Sequence, residues 1–373
     1  MKLPIVCEQI EGPHPLGDSD RMNAFTSTLR NLGYNLENCA TRLGSFPRLG
    51  VNFWDEMHPQ WVPNPQDPVD ALIALFIDEK PLPVDPLRTL TSTSFVDTAC
   101  EMGVLQLQDG ALHPKLSLFP IAGLYIVTDR KARNTAVNQV MWLWGESYLL
   151  AGLVNRAPRR RAIDLGTGSG VHALLASRHC QTVTAGDVSP RALEFGRFNA
   201  ELNGRTNVEF RLSDLLNDIP GTTDLLITNV PYAPDSAAKA GDNFWSGGLD
   251  GWDLTKRVVA ALPQRLEDGG VLHMNSLYPN DPGTTIRDHF DRWIDGGIGR
   301  YEVLDHTWAI PTYEDALSER PYEGDKSAWR FGVVSVRRAA LGRGYWREQN
   351  KRGAFFRADG SCSVVADHDL LAP

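Results

Sequence analysis

The stretch RAIDLGTGSGVHALLASRHCQTVTAGD, residues 161–187, decides the fold. An apolar run, RAIDL, breaks into three alternating glycines, Gly166, Gly168 and Gly170. A helix-forming segment, HALLASRHC, and a second apolar run ending on Asp187 follow. Strand, glycine turn, helix and strand in that order predict one unit of a parallel sheet flanked by helices. Glycines at such a turn let a ligand approach the backbone closely, with the start of a helix behind it. A dinucleotide fingerprint needs GxGxxG, but counting from Gly166 gives GxGxG, with Val171 where the third small residue should stand, so NAD is disfavoured.

Downstream the alternation continues through RALEFGRFNAELNG, NVEFRLSD, DLLITNV, TKRVVAALPQRLEDGG and VLHMNSL. The fold class is therefore α/β, a doubly wound, mostly parallel sheet. Three further positions fall at strand ends. Asp187, 21 residues after Gly166, is placed to accept both hydroxyls of a ribose, or else to cap the helix opening at Val188-Ser-Pro. Asp214 and Leu215, in FRLSDLL, mark a second turn, and Asn229-Val230-Pro231-Tyr232 a third, where a plain β-turn is the competing reading.

Asp164, two places before the first of the glycines, completes a pattern that resembles motif I of class I S-adenosylmethionine-dependent methyltransferases. Asn229-Val230-Pro231-Tyr232 matches the [N/D]-x-P-[Y/F] motif of the amino-methyltransferases. The resemblance runs from about Val140 to Arg338 and is closest to release-factor glutamine-N5 and ribosomal RNA amino-methyltransferases. Gly247-Gly-Leu-Asp-Gly251 and Asp268-Gly-Gly270 are similar to segments downstream of the motif in the release-factor enzymes. It implies a Rossmann-like fold and S-adenosyl-L-methionine as cofactor. The implied cofactor residues are Asp164, Gly166, Thr167, Gly168 and Gly170 at the glycine turn, Asp187 and Val188 at the ribose, and Asp214 and Leu215 at the adenine. Asn229 belongs with them, as do Gly145 and Glu146 over the methionine end. The implied catalytic residues are Asn229, Val230, Pro231 and Tyr232. An amide or exocyclic amine has a delocalised, poorly nucleophilic lone pair. The Asn229 side-chain oxygen and the Val230 carbonyl can accept its two N–H groups, Pro231 fixes the turn, and Tyr232 offers a stacking face. Alignment of this kind is worth roughly 7–11 kcal/mol, with charge stabilisation added. Two departures stand out: Val230 replaces the commoner proline, and the N-terminal part does not resemble the helical substrate domain of those enzymes.

A length of 373 residues suits two domains, and 42% hydrophobic with 22% charged residues is ordinary for a globular protein. No run of about 18 apolar residues suggests a membrane span. The opening MKLPIVCEQIEGPHP lacks a secretory apolar stretch, so a cytoplasmic location is expected. Five scattered cysteines and nine histidines form no ligand spacing, and no metal is expected. The formal charge of −9 argues mildly against a nucleic-acid partner. Arg330 to Arg357 is the local exception, with eight Lys/Arg against Glu348, and reads either as a contact for an anionic partner or as a last strand with a solvated tail.

In the N-terminal part, helices are expected over Ser19–Leu32, Val69–Ile77, Pro86–Leu90 and Ser94–Met102, the rest of the first 65 residues being loop. A hairpin turns at Gln108-Asp109-Gly110, and an extended run ends at Asp129. Helices followed by a hairpin suggest a winged-helix-like module for substrate recognition, dimerisation or nucleic-acid reading. The expected organisation is this module over 1–130, a linking helix within 131–156 (Asn134 to Val154), the methyltransferase domain over 157–340 and a basic extension over 341–373. The leading functional expectation is N-methylation of a planar amide or amine nitrogen of a small molecule or peptide. The alternatives are a nucleic-acid amino-methyltransferase, an O-methyltransferase, and a non-catalytic cofactor-binding protein; a homodimer stays open.

Overall fold

The computed structural model describes residues 12–43, 61–64, 66–131, 138–143, 145–154, 156–234, 246–279, 283–309, 329–339, 342 and 344–347. Helices α1 (Ser19–Asn31), α2 (Leu36–Leu43) and α3 (Pro68–Phe76) come first. Asp18 caps α1, accepting from the amides of Asp20 and Arg21. Asp67 caps α3 ahead of Pro68, whose fixed φ suits a first turn. Helix α2 corrects the expectation of loop: Leu36, Cys39, Ala40 and Leu43 recur at helical spacing and are all buried, a signal hidden by the polar residues around it.

Next come β1 (Leu82–Pro83), α4 (Val84–Leu90), α5 (Thr93–Glu101), β2 (Leu105–Gln108) and β3 (Ala111–Pro114). The three strands form a small sheet in the order β1-β3-β2. Strands β4 (Ser117–Ile121) and β5 (Leu124–Thr128) form a second hairpin, turning at Ala122 and Gly123, so the expected single extended run is folded on itself. The expected long linking helix is shorter as well: α6 spans Gly145–Leu153, residues 138–143 are not helical, and residues 132–137 lie outside the described residues.

The second half contributes β6 (Arg159–Leu165), α7 (Val171–Ala176), β7 (Cys180–Asp187), α8 (Pro190–Leu202), β8 (Val208–Leu212) and β9 (Thr223–Thr228). It continues with α9 (Asp253–Ala260), α10 (Leu262–Arg265), β10 (Leu266–Pro279), α11 (Ile286–Trp293), β11 (Tyr301–Ala309), β12 (Trp329–Arg338) and β13 (Tyr345–Arg347). Pro263 falls at the start of α10 and divides what the sequence reads as one helix. Eight strands form one sheet in the order β13-β11-β12-β10-β9-β6-β7-β8. Strand β12 runs antiparallel to both its neighbours, and the other pairs are parallel. Chain order runs outward from β6 to β8 on one side and from β9 to β10 on the other. The reversal lies between β6 and β9, where the loops leaving neighbouring strands diverge and open a crevice.

The N-terminal elements share one apolar core with α7 and α8, which includes Leu174, Phe195, Phe198 and Leu202. Side-chain amides join the two halves. Asn203 Oδ1 accepts from the Tyr125 amide at 2.9 Å and its Nδ2 donates to the Tyr125 carbonyl at 2.8 Å. One turn earlier, Asn199 treats Val127 in the same way, at 2.8 and 2.9 Å, and also donates to the Ser169 carbonyl at 2.9 Å. Two asparagines four residues apart on α8 thus satisfy the open edge of β5 as a neighbouring strand would. Among the described residues, no helix is long and apolar enough to cross a membrane.

Candidate active site

Leu165 and Thr228, the last residues of β6 and β9, are paired in register, so Gly166 and Asn229 leave the sheet side by side. A cavity of about 630 Å³ opens there, of the size usual for small-molecule sites. Gly166, Thr167, Gly168, Asp187, Val188, Asp214, Leu215, Asn229, Val230, Pro231, Tyr232 and Glu146 all line it. The sequence-predicted cofactor and acceptor motifs therefore face one space.

Asp187 is braced from two directions. Its Oδ2 accepts from the Gly168 amide and its Oδ1 from the Ser189 amide, each at 2.9 Å. Burial pushes its carboxyl above the ordinary carboxylate range, against the pull of these backbone donors. Gly168 has φ +52, and a Cβ there would meet no protein atom within 4 Å, so that position faces open space. Val188, 66% exposed, offers an apolar surface to the same space. A carboxylate for hydroxyls, an unobstructed backbone and an apolar wall fit a nucleoside. Asp214 also lines the cavity, and its carboxylate pairs with Arg257 at 2.6 Å.

Three expected cofactor residues do not line the cavity. Asp164 lies beneath the glycine turn, where its Oδ2 accepts from the Thr167 hydroxyl at 2.6 Å and the Ala173 amide at 3.0 Å. It shapes the loop from inside, and burial, aided by the nearby charge of Asp187, raises its carboxyl to about 7. Gly170 serves packing: a Cβ there would stand 3.1 Å from the Gly196 Cα and 3.3 Å from the Phe210 ring. Gly145 is buried at the start of α6, and its neighbour Glu146 reaches the cavity instead.

On the acceptor side, a Cβ on Gly166 would lie 3.2 Å from Val230 Cγ1, so the glycine turn and the Asn229–Tyr232 loop touch. Tyr232 is buried, with its ring 5.6 Å from that of Phe331 and its hydroxyl donating to the Glu146 carboxylate. The ring is thus held at both ends and is less free to act as a stacking face than the motif implies. Asn229 Oδ1 accepts from Asn275 Nδ2 at 2.8 Å.

Asn275 is one residue that sequence reasoning missed, although a polar residue inside the apolar run VLHMNSL was a visible signal. Another is His172, buried in the cavity wall and kept neutral because burial and the charge of Arg156 push it down to about 3. Residues 138–143 line the cavity too. Asp129, fully buried, holds them in place: it pairs with Arg191 and accepts from the Val140 amide at 2.7 Å, while Arg191 donates to the Asn138 carbonyl. No local pattern gave this away, because Asp129 and Arg191 are 62 residues apart. In the described part of the basic segment, the part-buried Arg330 and Arg338 are turned into the fold, donating to the Thr307 hydroxyl and the Pro263 carbonyl, whereas Arg337 is exposed and pairs with Glu302 at the surface. Residues 348–357 of that segment lie outside the described residues.

Residues 144–292 match the family model described as methyltransferase small domain. A chain of Methanocaldococcus jannaschii, provisionally named a protein N5-glutamine methyltransferase, is 30% identical over 131 residues, which are 34% of this chain and 66% of that one. The release factor glutamine methyltransferase of Deinococcus radiodurans is 34% identical over 129 residues, 32% of this chain and 46% of that one. The ribosomal RNA small subunit methyltransferase C of Alcanivorax borkumensis is 26% identical over 162 residues, 42% of each chain. This chain thus spans between 42% and 66% of the length of these relatives. Residues 144–292 form a methyltransferase domain of the class I type, whose cofactor is S-adenosylmethionine. The match leaves residues 1–143 outside it.

Proposed function

We propose, from the class I methyltransferase domain in residues 144–292, that this protein transfers a methyl group from S-adenosylmethionine to the planar nitrogen of a glutamine-type side-chain amide in a peptide or protein. The observation that carries the reading is the meeting of Asp187, Gly168, Asn229 and Val230 around one cavity at the sheet's point of reversal. The names of the two glutamine methyltransferases among the relatives support an amide acceptor. The formal charge of −9, together with the internal engagement of Arg330 and Arg338, favours it over RNA.

S-adenosylmethionine, when bound, supplies a methyl group on a positively charged sulfur. Asp187 would hold the ribose hydroxyls, Val188 and Leu215 would flank the base, and Asp214 would take its amino group. Asn229 Oδ1 and the Val230 carbonyl would accept the two N–H groups of the amide, leaving the lone pair to face the methyl. As the nitrogen attacks, charge builds on it, and these two oxygens stabilise that charge without having to reorganise. Forming the N–CH₃ bond would break the S–CH₃ bond and leave S-adenosylhomocysteine, and the extra proton on nitrogen would pass to solvent after transfer, so no strong base is required of the site.

The remaining assignments are part of the same proposal. Residues 1–130 are a recognition module, and the order helix, short strand, two helices, hairpin, with strands paired β1-β3-β2, supports the winged-helix reading. Residues 131–156 link it to the catalytic domain, 157–340, and 341–373 form the basic extension, of which β13 joins the sheet edge.

Calorimetry with S-adenosylmethionine and S-adenosylhomocysteine tests the first half of the reading, and labelled methyl transfer to cell proteins the second. Asn229→Ala is expected to leave cofactor affinity within a few-fold while turnover falls by about 10²–10³. Label on a carboxylate oxygen, with Asn229→Ala nearly as active as wild type, refutes the amide assignment and leaves the cofactor standing.

A further inference from the structure

We propose that Asn275 is a positioning residue for methyl transfer, fixing which atom of the Asn229 amide faces the acceptor nitrogen. This rests on the N-methyltransferase reading above and deepens it. Asn275 lies within β10, 2% exposed, and does not line the cavity. Its Nδ2 stands 2.8 Å from Asn229 Oδ1 and 3.3 Å from the backbone carbonyl of Glu146. Its own Oδ1 is buried and has no hydrogen-bond partner among the described residues. A half-satisfied amide in a core is costly where a leucine of similar volume would pack, so the function of this residue lies with its NH₂ group.

The orientation follows from donor and acceptor rules. A backbone carbonyl only accepts, so the Glu146 carbonyl requires the NH₂ of Asn275 on that side. Asn229 must answer the same NH₂ with its oxygen, since two amide donors would repel. Asn229 Oδ1 then keeps a second lone pair for an N–H of the acceptor, with the Val230 carbonyl next along the chain. If the Asn229 amide turned by half a revolution, its NH₂ would face the acceptor nitrogen and donate to the lone pair that has to attack. Asn275 prevents this by bridging α6, β10 and the end of β9.

Sinefungin tests the inference without knowledge of the acceptor. In this cofactor analogue an amine-bearing carbon replaces the methyl-bearing sulfur of S-adenosylmethionine, so the amine stands where the methyl would, and its N–H groups sample the oxygens of Asn229 and Val230. S-adenosylhomocysteine, a thioether, does not. By calorimetry, wild type is expected to prefer the amine by about tenfold, the size of one hydrogen bond to a charged group. Asn275→Leu should lose that preference while thioether affinity stays within about threefold, and Asn229→Ala/Asn275→Leu should be no weaker for the amine than Asn229→Ala alone. Asn275→Asp, nearly isosteric, covers a leucine variant that fails to fold. Its added negative charge would by itself favour the amine, whereas the proposal expects the preference to fall because Asn229 turns its NH₂ toward the new carboxylate. A wild-type preference that survives in both variants, or effects that add in the double variant, overturns the inference alone. A wild type that binds the thioether without preferring the amine overturns the acceptor geometry of Asn229 and Val230 as well, and one that binds neither overturns the cofactor reading.

Discussion

Replacing Asp164 and Asp187 by asparagine should have opposite consequences, although both are buried carboxylates at the same glycine turn. At Asp187 the two backbone donors arrive on different oxygens, Gly168 on Oδ2 and Ser189 on Oδ1. An asparagine has one oxygen, so its NH₂ must confront one of those N–H groups. The cost of an unpaired buried donor is about 1–3 kcal/mol, and on a domain of this size that lowers the melting temperature by roughly 2–12 °C. The ribose also loses an acceptor, which weakens S-adenosylhomocysteine by about 10- to 100-fold. At Asp164 both donors, the Thr167 hydroxyl and the Ala173 amide, converge on Oδ2, which an asparagine oxygen can replace. Its other oxygen has no partner among the described residues. The carboxyl is raised from an ordinary 3.8 to about 7, so the folded protein retains a proton that the unfolded chain releases. Wild-type stability should therefore decline as pH rises between those values and level off above them. Asp164→Asn removes this decline and should be at least as stable as wild type at pH 8. Thermal melts of both variants between pH 4 and 8, with calorimetry at pH 8, decide the matter. An Asp187→Asn protein with wild-type melting and affinity, or an Asp164→Asn protein less stable than Asp187→Asn at pH 8, would refute the reasoning.

The two glycines should separate in the same assays. Gly168→Ala, at φ +52 with open space beyond, is expected to weaken cofactor binding with a stability cost of about 1–2 kcal/mol from the backbone alone. Gly170→Ala adds a clash with Gly196 to the strain of φ +83, so its main effect should appear in melting temperature rather than in affinity corrected for the folded fraction. Asn199→Ala breaks three hydrogen bonds that join β5, α8 and the glycine turn. It should cost about 2–4 kcal/mol and speed amide exchange at Val127. Unchanged exchange there would mean that the amide is protected by other means.

The catalytic half was legible from the chain because its signals are local. Gly166 to Gly170, Asp187 and Asn229 to Tyr232 each lie at a strand end, and alternating apolar segments fix which ends share an edge of the sheet. That is enough to place Asp187 and Asn229 around one cavity. What the local pattern did not reveal was which of these residues face the ligand. Asp164 and Gly170 belong to the same run as Gly168, yet one is turned inward to hold Thr167 and the other is filled by Gly196 and Phe210, because a tight turn alternates the directions in which successive residues point. Helix α2 shows a different limit: its four apolar residues have helical spacing, but only burial against the N-terminal core makes so short a helix stable. Tertiary structure alone decided the pairings across distance. Asp129 meets Arg191, Asn199 and Asn203 take the edge of β5, and Asn275 meets Asn229 across 46 residues of chain. A buried polar side chain leaves no periodic trace of its partner, because hydrogen bonding specifies only that one must be within about 3 Å, and the fold determines which residue that is.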